Sequence, residues 1–146
     1  MNTKTPSNMI AMLLILGGGV FGFLGGVHAI YTLLDLRNPL RLVPDDPSVA
    51  QAMARSAVRL TSGGTDMWRA WVGFNFTHSL GLLLFAGLAI WAGTRGNRVP
   101  AGIMPTLIVI GGVYLVLTLR YFYRSPGIGV AIGTGCFAAA WLLSLK

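Results

Sequence analysis

The sequence predicts an all-α integral membrane four-helix bundle, with four transmembrane helices and one short amphipathic loop helix, as a single domain over residues 1–146. Three observations lead there. Four apolar runs, at about 9–34, 68–91, 102–122 and 128–145, match the length of roughly 20 residues that crosses a hydrocarbon core. Hydrophobic residues make up 54% of the chain and charged residues 10%, too few charges to cover a water-facing surface. The charges that exist fall at the ends of the runs and in the breaks between them. A net charge of +7 would point to nucleic acid in a soluble protein. Here headgroups and topology signals account for the basic residues, so membrane lipids are the expected partners and nucleic acid is not.

The first span, 9–34, is longer than the 7–15 residues of a signal-peptide core. A retained helix is therefore expected, although Val27-His28-Ala29 loosely resembles a cleavage site. Gly18, Gly22 and Gly26 repeat every four residues, a spacing that lets two helix backbones approach. A second stripe, His28, Tyr31, Thr32 and Asp35, lies roughly 115° round the helix from the glycines. Packing within the chain is the preferred use of the small residues. A homo-oligomer or membrane-complex partner, docking through Gly18/Gly22/Gly26 or Gly129/Gly133, is the alternative.

The long connection, 36–65, is broken by Pro39, Pro44 and Pro47. Asp46-Pro47 reads as an N-cap followed by proline at the first helical position. The loop helix is expected over 47–60, with Val49, Met53, Ala57 and Leu60 on one side and Arg55 and Arg59 on another. Such a helix suits the headgroup region or a cover over the polar half of the bundle. Thr61-Ser62-Gly63-Gly64 should end it, and Thr65 should cap the next helix with Asp66 in its first turn.

The second span carries Trp68 and Trp71 at one end and Trp91 at the other, as an interfacial aromatic belt would. A turn at 95–100 leads to the third span, which ends in Arg120-Tyr121-Phe122-Tyr123-Arg124. Ser125-Pro126-Gly127 reads as a tight turn before the small-residue-rich fourth span. The side holding the long connection carries Arg37, Arg41, Arg55, Arg59, Arg69, Arg120 and Arg124. The other side carries Lys4, Arg95, Arg98 and Lys146, so the positive-inside rule puts both termini outside the cytoplasm.

Asn75 and His78 are three residues apart and share a helix face, with Trp71 a turn before and Ser79 a turn after Asn75. On antiparallel spans His28 lies ~9 Å and His78 ~10–15 Å from the same end, so both histidines fall in one leaflet. Tyr114, Thr118 and Arg120 of the third span end there too. Polar groups at membrane depth default to a functional reading. The candidate ligand-binding set is therefore His28, Tyr31, Asp35, Trp71, Asn75, His78, Ser79, Tyr114 and Arg120. His28 and His78 should share one water-bridged hydrogen-bond network with Asn75. No metal site is expected, since two histidines, Asp35 and Asn75 fall short of a usual ligand set and there is a single cysteine, Cys136. The absence of glutamate excludes the usual di-iron carboxylate bundle. His78 oriented by Asp35 would be a general base, but there is no phosphate loop or nucleophile elbow.

The run Trp68-Arg69-Ala70-Trp71-x-Gly73-Phe74-Asn75-x-Thr77-His78-Ser79-Leu80-Gly81 resembles the signature of an uncharacterised family of small bacterial integral membrane proteins. His28-x-x-Tyr31-Thr32 and Ala52-Met53 are similar to the same pattern. The resemblance implies a four-helix protein of the bacterial inner membrane and no known activity. Arg120-Tyr121-x-Tyr123 is similar to the ending of eicosanoid and glutathione-metabolism membrane proteins, whose glutamate-containing motif this chain lacks. Two functions are consistent with these residues. One is a non-catalytic bundle that binds a small lipophilic ligand or serves as a subunit of a membrane assembly. The other is a small membrane enzyme acting on a lipid-like substrate through His28 and His78. Cofactors are left open.

Overall fold

The structure, a computed structural model, describes residues 4–61, 63–95, 99–100 and 102–145. Residues 96–98 of the turn expected at 95–100, and Ser62 of the loop, lie outside them. The fold is all-α: α1 Lys4–Asp35, α2 Pro47–Arg55, a 3₁₀ turn Arg59–Thr61, α3 Met67–Arg95, α4 Ile103–Tyr121 and α5 Arg124–Ser144. Four helices are long and apolar enough to cross a membrane: Ser7–Asp35, Met67–Arg95, Ile103–Tyr121 and Arg124–Ser144, with mean hydropathy between 1.5 and 2.2. Helices satisfy every backbone group within the segment, which hydrocarbon demands.

The chain forms two compact units, one of 1–24 with 82–146 and one of 25–81. The first unit is a four-helix packing centred on one aromatic ring from each long helix. Phe21 of α1 meets Phe85 of α3 edge-on at 4.8 Å, stacks on Phe137 of α5 at 5.8 Å and lies 5.9 Å from Tyr114 of α4. Small residues make this closeness feasible. A Cβ on Gly17 would stand 2.5 Å from Phe137 and 2.9 Å from the Gly133 carbonyl, and one on Gly133 would stand 2.8 Å from Phe21. Gly18 faces Ala86 and Ile90, Gly22 faces Ala86, and Gly129 faces Leu24, all within this unit. Gly26, in the second unit, meets nothing within 4 Å. On α4, Gly111 faces the buried Thr134 hydroxyl of α5, which has no hydrogen-bond partner among the described residues.

The second unit holds the end of α1, the connection, α2 and the start of α3. Asp46 caps α2 by accepting from the Ser48 N–H at 2.8 Å, with Pro47 next, as the sequence predicts. The helix expected over 47–60 stops at Arg55. Ser56 turns to extended backbone, and Ala57 pairs with Asp66 in an isolated antiparallel bridge. The Val58 N–H donates to the Thr65 carbonyl at 3.0 Å, and the Met67 N–H to the Ser56 carbonyl at 2.9 Å. Gly63, at φ +89°, reverses the chain between these arms, a conformation costly for other residues. This small hairpin takes backbone groups that a longer helix would need. Ala57 and Leu60 therefore leave the apolar face, and Leu60 is 95% exposed. α2 has no fully buried residue, and on the side expected to cover the polar half Val49 is exposed and Met53 half-buried.

Two further boundaries differ from expectation. Asp66, not Thr65, caps α3: its Oδ1 accepts from the Arg69 N–H at 2.8 Å. Ser125-Pro126-Gly127 is the first turn of α5 rather than a free turn. A first-turn N–H has no partner inside the helix, so proline is tolerated there. The α4–α5 connection shrinks to Phe122 and Tyr123, with the Phe122 N–H on the Thr118 carbonyl at 3.0 Å.

Candidate functional site

The polar centre lies inside the second unit, between the last turns of α1 and the first turns of α3. His28 and Asn75 meet directly: His28 Nε2 lies 2.8 Å from Asn75 Oδ1. The Asn75 amide is oriented by its own helix, because Nδ2 donates to the Trp71 carbonyl at 2.8 Å. Oδ1 must then accept, so His28 donates from Nε2 and neutral His28 carries its proton there. Asn75 is buried and both histidines are half-buried. The two imidazoles touch edge to face, with centroids 5.0 Å apart. The equal depth expected of His28 and His78 thus becomes a contact.

The hydroxyls nearby serve their own helices. Thr32 Oγ1 donates to the His28 carbonyl at 2.9 Å, and Ser79 Oγ to the Asn75 carbonyl at 2.9 Å. Ser79 is thus local support. On the outer side of α3, His78 continues a stacked series: Phe74 lies 6.0 Å from His78 with ring planes 20° apart, and Trp71 6.2 Å from Phe74 with planes 23° apart. Phe74 is 53% and Trp71 38% exposed, so the series is an open aromatic strip ending at the histidine pair.

Asp35 has a different task from the one the sequence suggested. Its carboxylate accepts from the backbone N–H groups of Leu40, Arg41 and Leu42, the last at 2.6 Å, and pairs with the Arg41 guanidinium at 3.4 Å. It folds residues 36–42 into a strap after α1. The expected role of orienting His78 as a base is replaced by this one: both carboxylate oxygens already serve the strap. Trp71 fastens the other end, Nε1 donating to the Leu42 carbonyl at 2.8 Å. Arg41 also lies over the Tyr31 ring, 5.6 Å from its centroid. Beneath the strap is a small recess lined by Thr32, Asp35, Leu42, Trp68, Trp71 and Asn75, with room for about one water molecule.

Tyr114, Thr118 and Arg120 belong to the first unit. Tyr114 packs on Phe21 and Phe85 there, Thr118 donates to the Tyr114 carbonyl at 2.7 Å, and Arg120 is exposed. Among the described residues no three of His, Cys, Asp and Glu gather as metal ligands. Sequence reasoning passed over Phe74, Arg41 and Leu42. Phe74 was legible, three residues after Trp71 and four before His78. Leu42 acts through its backbone, which carries no sequence signal.

The chain matches no family model, and no curated protein or solved structure is significantly similar to it.

Proposed function

We propose that the second unit binds a small amphipathic, lipid-like molecule without transforming it, its polar head at the His28–His78 pair and its apolar part along Phe74 and Trp71. One observation carries this reading: a half-buried histidine pair stands at the end of an exposed aromatic strip. Ligand sites of this kind combine apolar walls with a few convergent polar groups. Trp and Tyr rings suit the zone where one end of a ligand is wet. Asp35 is committed to the strap, which favours binding over acid–base chemistry. On this reading the protein resides in a bacterial inner membrane, in keeping with the resemblance of the 68–81 run. Its arginine-rich connection faces the cytoplasm.

The test is extraction of the full chain in a lipid-retaining polymer, followed by mass spectrometry of the bound small molecules. A species enriched over bulk membrane should accompany the wild type and be depleted in His78→Ala and Phe74→Ala. Thermal unfolding of both variants verifies that they are folded. Identical profiles in wild type, variants and bulk membrane would overturn the proposal.

A further inference from the structure

We propose that the connection between α1 and α3 is a docking surface for anionic phospholipid headgroups. Three features of the second unit lead there. α2 has no fully buried residue: on its apolar side Val49 is exposed and Met53 half-buried. Leu36, Leu40 and Leu60 of the same connection are exposed, each next to an arginine in sequence: Arg37, Arg41 and Arg59. Arg37, Arg55 and Arg59 are exposed and form no ion pair among the described residues, whereas Arg41 is paired with Asp35 and Arg69 with Asp66. Of the acids, Asp35 and Asp66 are taken up by Arg41 and Arg69, which leaves Asp45 and the α2 cap Asp46 against three unpaired guanidinium groups, an excess of positive charge.

The occupant follows from this chemistry. A protein partner would bury a contiguous apolar patch. Here leucines stand beside arginines in the strap and the 3₁₀ turn, and α2 sets Val49 and Met53 beside Arg55, the pattern of a segment lying at the boundary of headgroup and acyl chain. Arginine stems cover apolar surface while their heads reach phosphate, and guanidinium binds phosphate through two parallel hydrogen bonds. The segment is also tethered to span ends, by Asp35 at the end of α1 and by Trp71 near the start of α3. Both ends of the segment are therefore held where the spans end, and an arginine within a Debye length of about 8 Å of anionic headgroups feels their attraction.

Hydrogen exchange of the full chain tests this in nanodiscs of phosphatidylcholine alone or with roughly 30% phosphatidylglycerol. Each unpaired arginine should contribute about a fivefold preference for the charged surface. The amides of 47–55 should therefore exchange at least about tenfold more slowly on the anionic discs. High salt should reverse the effect, and Arg55→Gln/Arg59→Gln should remove it while exchange in α4 and α5 stays unchanged. A milder variant, Arg37→Gln, should weaken it in part. Equal exchange on both lipids overturns the proposal, and so does protection that persists on neutral discs and in detergent, which would mean that protein covers α2.

Discussion

His28 and Asn75, 47 residues apart in sequence, are joined by one direct side-chain hydrogen bond of 2.8 Å, from α1 to α3. A hydrogen bond between transmembrane helices adds only ~0.6 kcal/mol on average. Leaving its partner unsatisfied costs more, about 1–3 kcal/mol. Asn75→Leu should therefore destabilise the protein by about 1–3 kcal/mol, because His28 loses its acceptor and the Trp71 carbonyl its donor. His28→Ala combined with Asn75→Leu should cost less than the sum of the two. A double-mutant cycle by unfolding in detergent measures the coupling, and a value near zero would show that the bond contributes nothing.

The glycines of the first unit should divide sharply. Gly17→Ala and Gly133→Ala place a methyl group against Phe137, Phe21 and backbone carbonyls, and should destabilise by about 1–3 kcal/mol. Gly19→Ala and Gly135→Ala meet nothing within 4 Å and should be neutral or gain up to about 1 kcal/mol of helix propensity. Thermal unfolding of the four variants is the check. Equal effects at all four sites would contradict the packing.

The strap depends on one carboxylate. Asp35→Ala leaves the Leu40, Arg41 and Leu42 N–H groups without their acceptor, so those amides should exchange much faster. Trp71→Phe should loosen only the Leu42 end, since it removes one donor. Unchanged exchange in Asp35→Ala would mean that the strap is held by something else.

Acid should fray α2 through Asp46. The Ser48 N–H and hydroxyl hold its carboxyl below the usual carboxylate value. The cap's contribution is thus full above the ordinary pKa of about 3.9 and is lost as pH falls through the lower folded value. Exchange of the 47–55 amides should rise in that window beyond the intrinsic pH trend. Asp46→Asn, which caps without titrating, should abolish the rise.

Four spans require both termini on one side. In a Cys136-free background, single cysteines at Ser7 and Asn97 should react with a membrane-impermeant thiol reagent from one side and a cysteine at Ser62 from the other. Labelling of Ser7 and Asn97 from opposite sides would remove the four-span topology.

How much was legible varied with how local the cause is. The long helices follow from apolar length, and the Asp46-Pro47 start of α2 from two adjacent residues. Asn75 and His78 on one face follow from helical period, and the meeting with His28 from antiparallel depth. The end of α2 was not legible, because it is set by pairing Ala57 with Asp66 across a glycine reversal. The role of Asp35 was hidden for a related reason: its partners are backbone N–H groups, identical in every non-proline residue. Asp66 displaced Thr65 as cap because the Thr65 carbonyl already accepts from Val58 in the hairpin.

The hydroxyls that bond their own helices bear on how the spans come together. Thr32, Thr77, Ser79, Thr94, Thr106, Thr118 and Ser144 each donate to a carbonyl three or four residues earlier. Each span therefore satisfies these groups on its own, and lipid is an acceptable neighbour for it. Asn75 Oδ1 and His28 Nε2 are different, since each finds its partner only on the other helix. The first span therefore completes this polar pair only with the second span, α3, beside it.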